Sequence, residues 1–114
     1  MQSHNRLIWH LVKQIVENAF PEETAASRLQ QVAVLLTINA LQNQPEPLTT
    51  QRLGEIYGLN ASQTHKLVTR LVERGLVTRE QIHNRLGRGH AFALRLVETP
   101  ELKILRDAIL NEGR

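Results

Sequence analysis

The 114-residue chain contains no cysteine, which excludes disulfide scaffolding, thiolate catalysis, thiol redox sensing and cysteine-ligated zinc together. Aromatic residues are scarce as well: Trp9, Phe20, Tyr57 and Phe92 make up 4% of a sequence that is 41% hydrophobic. The core must therefore be built from leucine, valine, isoleucine and alanine, a mixture that suits packed helices. No stretch approaches the roughly 18 consecutive apolar residues of a membrane span. The first twenty residues also lack a cationic start before an unbroken apolar run, and they lack a small-residue cleavage site. A soluble, cytoplasmic protein without membrane contact is expected.

The chemistry of catalysis is missing too. The glutamates are scattered, and the lone Gly87-Arg88-Gly89 lacks the Lys-Ser or Lys-Thr of a phosphate-binding loop. The five histidines, His4, His10, His65, His83 and His90, form no i,i+4 pair and have no carboxylate cluster nearby. Only His83 and His90 could meet, across a hairpin. Neither an enzyme, a metal site nor a cofactor is expected.

What is present is organised along the chain. At this length a single domain spanning residues 1–114 is expected. The net charge of +3 is unevenly spread. Residues 1–59 carry four basic and five acidic side chains, residues 60–96 seven and two, and residues 97–114 three and four. One basic third on a nearly neutral body is the electrostatic pattern of a polyanion binder.

Apolar residues recur at helical spacing over residues 5–20 and cover an arc of roughly 220°, about twice what a surface helix needs. Pro21, Glu22 and Glu23 then restart the chain as a second helix running to about Gln42, with proline and acids in its first turn. Its segment VAVLLTINAL is apolar nearly all round and should be the buried central helix. Two prolines in NQPEP end it. A short helix follows, capped by Thr49 and stopped at Gly58. The next begins at Asn60, with Gln63 at the capping-box position and Gly75 just past its end. Gly54 is placed where these two helices cross closely.

Beyond Gly75 the period becomes alternating. LVTREQIH and HAFALRLVE read as two strands, with Phe92, Leu94 and Leu96 on the inner face of the second. Gly87 and Gly89 make the turn. Thr99 and Pro100 then open a last helix over about 100–112. The expected fold class is mainly α with a small β-hairpin (α+β): a winged helix-turn-helix whose DNA-binding part spans 48–98, flanked by N- and C-terminal dimerisation helices.

On the helix beginning at Ala61, Thr64, Leu67, Val68, Leu71 and Val72 form the buried stripe. Ser62, Lys66, Thr69 and Arg70 face outward, flanked by Gln63 and His65. Second helices of helix-turn-helix units contact bases from their N-terminal turns. Gln63, Lys66 and Arg70 can reach base edges, while Ser62 and Thr69 fit phosphate or water-mediated contact. At the wing, Arg85, Arg88 and His90 form a cationic tip suited to phosphates or a narrow minor groove. Arg52, Arg79 and Arg95 are weaker candidates for phosphate contact.

The stretch LTTQRLGEIYGLNASQTHKLVTRLVERGLVTR, residues 48–79, resembles the MarR family of bacterial transcription regulators. The resemblance rests on its Leu-Thr start, Gly-Leu turn and Leu-Val-x-x-Leu helix running into Gly-Leu-Val. It implies a homodimer held by terminal helices, with the two recognition helices in successive major grooves of a palindromic site. Ser62, Gln63, Lys66, Thr69 and Arg70 take the matching recognition positions. The family's wing usually carries Asp-x-Arg where this chain reads IHNRLGRGH.

Leu7, Leu11 and Ile15 on the first helix, with Leu102, Leu105 and Ile109 on the last, are the expected dimer contacts, since exposed apolar surface of this breadth marks an interface. The function expected is a sequence-specific regulator of transcription, a repressor binding double-stranded DNA as a homodimer, with any small-molecule effector left open. The alternative is a winged helix used for protein contact in a replication, partition or secretion complex. That use calls for apolar residues on the outward face of the second helix.

Overall fold

The computed structural model describes residues 2–83, 90–98, 103–104 and 107–108. Four helices precede a two-stranded antiparallel sheet: α1 (Gln2–Val16), α2 (Ala25–Leu41), α3 (Thr50–Tyr57), α4 (Ala61–Glu73), β1 (Val77–His83) and β2 (His90–Leu96). The register pairs Val77 with Leu96 and His83 with His90. A further bond from the Val97 N–H to the Leu76 carbonyl prolongs the ladder. On its other edge β2 donates from Leu94 N–H to the carbonyl of Leu48 at 2.8 Å, which ties the wing to the segment leading into α3.

The core is aliphatic. Leu11 and Ile15 of α1, Val34, Leu35 and Ile38 of α2, Leu53 of α3 and Leu67, Val68 and Leu71 of α4 close on one another, with Leu48, Leu76, Val77 and Leu94 completing the cluster. The central helix is α2, as its apolar run implies, and it packs against α1, α4 and β2.

Three expectations need correction. The first helix ends at Val16 rather than near residue 20, and the second starts at Ala25, with Thr24 rather than the Pro21 region as its cap. Between them lies a turn closed by Glu23 N–H on the Phe20 carbonyl at 3.1 Å. Pro21 takes its first central position and Glu22, at φ 66°, its second. Proline followed by a residue of positive φ is the type II pattern, so Pro21 here makes a turn instead of opening a helix.

Second, Leu11 and Ile15 are 4% and 0% exposed within the chain's own core, and so are closed to a partner; Leu7 is half-buried. The apolar groups that α1 does expose are Trp9 and Val16. Third, Phe92 is 43% exposed, while its neighbours Ala93 and Leu94 are both buried. Ala93, on the face opposite Phe92, is 7% exposed, so burial along β2 does not follow the alternation alone. Of the expected last helix, Lys103, Ile104, Asp107 and Ala108 are helical. Leu102, Leu105 and Ile109 lie outside the described residues.

Candidate nucleic-acid interface

The site is built on α4, and both of its ends are fixed locally. At the start, the Asn60 side chain accepts from Gln63 N–H at 2.8 Å, and the Gln63 side chain accepts from Asn60 N–H at 3.2 Å. This reciprocal capping box satisfies two of the donors that a helix start leaves open. At the end, Gly75 adopts φ 74° and its N–H bonds back to the Val72 carbonyl.

The helix is set against α3 at a glycine. A methyl group on Gly54 would stand 2.9 Å from Thr64 Oγ1 and 3.1 Å from the Leu59 carbonyl oxygen. Thr64 is 1% exposed, and its hydroxyl donates to the Asn60 carbonyl at 2.9 Å. The close crossing expected at Gly54 is therefore present. Gly58 closes α3 in the left-handed region at φ 68°, and only two residues separate it from the start of α4. The angle between the two helices is fixed by this short turn and the tight crossing.

The faces of α4 divide as its periodicity implies. Thr64, Leu67, Val68 and Leu71 are buried, while Ser62, Gln63, His65 and Lys66 are exposed. Gln63 Oε1 is used in the cap, so its Nε2 donor is the group left for an acceptor elsewhere. The two outward residues further along are partly engaged. Thr69 Oγ1 accepts from Arg79 Nη2 of β1 at 2.8 Å, which binds the wing strand to α4 and leaves the hydroxyl proton for another acceptor.

Arg70 pairs with Glu73 at 3.1 Å and lies 5.7 Å from the centre of the Phe20 ring. An ion pair this open to water contributes little to stability, ~0–1 kcal/mol. Gln63, Lys66 and Arg70 also form one wall of a cleft of about 290 Å³, whose opposite wall includes Glu22, Thr24, Ser27 and Gln30 from the start of α2.

Two weaker phosphate candidates make contacts within the fold. Arg95 donates to the carbonyl of Gln42 at 3.0 Å and to Asn43 Oδ1 at 3.2 Å, beyond the C-terminal end of α2. Arg79 holds Thr69 as described. Arg52 is exposed on α3. Arg85 and Arg88 lie outside the described residues, and His90 is known by its backbone place opposite His83.

Sequence reasoning missed the arginine that closes α4. The Arg74 side chain is 3% exposed and grips Glu23, itself 1% exposed at the side chain, through Nη2 to Oε1 at 2.5 Å and Nη1 to Oε2 at 2.9 Å. Nη1 also donates to Gln31 Oε1 at 2.6 Å, and Nη2 to the Asn18 carbonyl at 2.8 Å. The guanidinium lies 4.1 Å from the Phe20 ring centre. Glu23 further accepts from Gln31 Nε2 at 2.6 Å and from Phe20 N–H at 3.1 Å. The Arg74 hydrogen bonds, helped by those from Gln31 and Phe20, outweigh burial and lower the Glu23 carboxyl from 4.5 to about 2. Residues 23 and 74 carry no joint signal in spacing. An acid before a helix and an arginine before a glycine each have an ordinary local reading.

Comparison with known proteins agrees with this geometry. The model of the MarR family matches residues 30–85, which take in most of α2 and all of α3, α4 and β1. A solved structure described as a possible transcriptional regulator from Methanosarcina mazei Go1 superposes with a TM-score of 0.55 at 13% identity, covering 93% of this chain and 78% of the other. At that identity the likeness speaks for the fold. No curated protein matches the chain in sequence. No helix among the described residues is long and apolar enough to cross a membrane. With a capped second helix crossing the first at a glycine and a hairpin following it, the chain has a winged helix-turn-helix fold, and its residues 30–85 are similar to the MarR family.

Proposed function

We propose that the protein binds double-stranded DNA sequence-specifically as a homodimer on a palindromic operator and acts as a repressor. The observation that carries this reading is the division of α4, whose N-terminal turns expose Ser62, Gln63, His65 and Lys66 above a fully buried stripe. An α-helix fits the major groove, and donors on its first turns meet base edges there. Gln63 Nε2 and Lys66 are the base-reading candidates. Ser62, His65 and the hydroxyl of Thr69 serve phosphates or bridging water. Arg70 uses Nη1 on Glu73 and keeps its other donors for DNA. Arg85, Arg88 and His90 supply the wing's cationic contacts.

The second protomer is expected on the face of α1 that carries Trp9 and Val16, joined by the C-terminal residues Leu102, Leu105 and Ile109. The large exposed hydrophobics among the described residues include none from α4. That composition disfavours the protein-docking use of the fold.

Titrating salt tests the reading. A protein that neutralises about six phosphates loses affinity for duplex DNA with a log-log slope near −5, by the rule of about 0.9 per phosphate. Binding that is absent, or indifferent to salt, overturns it.

A further inference from the structure

The hydrophobic contacts that hold α4 on α2 are non-directional, and such contacts tolerate sliding and rotation. The Arg74 cluster is directional. Its two Nη atoms donate to Glu23, Gln31 and the main chain at Asn18, with a longer contact to the Ile15 carbonyl at 3.5 Å. Those four positions are the last turn of α1, the joint that follows it and the second turn of α2, 43 to 59 residues away in sequence. Only Arg74 Nε–H, also buried, lacks an acceptor among the described residues. A bidentate arginine–carboxylate pair fixes the plane and direction of both partners, which a lysine or an apolar contact does not. The N-terminal half of α4 is set independently, by the Gly54 crossing with α3.

We propose that Glu23 and Arg74 are positioning residues for DNA recognition: their buried pair pins the C-terminal end of α4 to the joint between α1 and α2, and so fixes the direction of the reading helix relative to α1. Without that pin, α4, α3 and the wing pivot as a body against α1. Over a 13-residue helix, about 20 Å long at 1.5 Å per residue, even a small rotation displaces the exposed face appreciably. The pin itself stands on the geometry alone. Its consequence for DNA rests on the reading of α4 given above.

The absence of cysteine allows a direct test, because labels attach only where a cysteine is introduced. Spin labels at Gln14→Cys on α1 and His65→Cys on α4 report the distance between the two helices. Two backgrounds are compared with the wild-type one. Glu23→Gln removes the charge. The double change Glu23→Met with Arg74→Met removes both buried charges, and such apolar replacement of an ion pair is commonly tolerated by folding. Should Glu23→Gln fail to fold, the double variant carries the test.

A single narrow distance distribution in the parent and a broader or two-component one in the folded variant is the expected result; an unchanged distribution overturns the pin. Unlabelled proteins are then compared on duplex DNA. If the reading-competent orientation falls to about a tenth of the population, affinity falls about tenfold, with the salt slope unchanged because the phosphate contacts are the same. Unaltered affinity overturns the positioning role. Failure of the parent protein to bind DNA overturns the functional reading instead, while the distance measurement still decides the pin.

Discussion

Adding one methyl group at Gly54 sets two effects of opposite sign against each other. In an open helix, alanine in place of glycine is favourable by about 1 kcal/mol. Here the new carbon would meet Thr64 Oγ1 at 2.9 Å and the Leu59 carbonyl at 3.1 Å. The hydroxyl cannot turn away without giving up its bond to Asn60, and the carbonyl is backbone. Overpacking of this kind costs about 1–3 kcal/mol, so Gly54→Ala is expected to lower the urea midpoint. A rise would show that the α3–α4 crossing relaxes freely.

Glu23 gives the second prediction at this scale. Its folded value near 2 lies below its ordinary 4.5. A carboxylate depressed by folding contributes stability that is present above the unfolded value and is lost as pH falls through the folded one. Thermal midpoints should therefore decline between about pH 4.5 and 2. In Glu23→Gln that group's share of the decline should vanish; an equal decline in both proteins contradicts the assignment. The buried stripe and the exposed face of α4 were legible residue by residue, because each follows from helical period alone. Glu23 with Arg74 was not, because a contact spanning 51 positions leaves no local pattern.

At the scale of elements, boundaries follow cap chemistry. Asn60, Gln63 and Gly75 have the roles their spacing implies, and so do Thr49 and Gly58 on α3. Removing the Asn60 cap by Asn60→Ala should cost about 1 kcal/mol, measured by denaturant titration. Any loss of DNA affinity beyond that change would mean that the cap also orients Gln63 for binding. The start of α2 was misread for a physical reason. Proline and acids are as much at home in a tight turn as in a first helical turn, and the positive φ of Glu22, which selects the turn, is unusual for a side chain of that type. The strand pattern of β2 likewise foretold alternation but not that Ala93 would be buried while Phe92 stays exposed, nor that Leu94 would bond to a segment as distant as Leu48.

For the whole molecule, two reading helices related by a twofold axis imply half-sites about 34–36 Å apart, one turn of the double helix. Duplexes selected from a random pool should therefore be palindromic, and inserting about half a turn, roughly 5 base pairs, between half-sites should abolish tight binding. Retained affinity after insertion would mean that the protomers bind independently. The expected dimer was read from an excess of apolar surface on the first and last helices and from the family resemblance. Folding took Leu11 and Ile15 into the chain's own interior and left Trp9 and Val16 outside.

Trp9 is the only tryptophan in the chain, and it is 59% exposed on that helix. The molecule thus carries a built-in optical probe at the place where a second protomer is expected. In dilute solution its indole should emit at long wavelength and be readily quenched by iodide. As concentration rises and two chains associate, the emission should shift to the blue and the quencher should lose access.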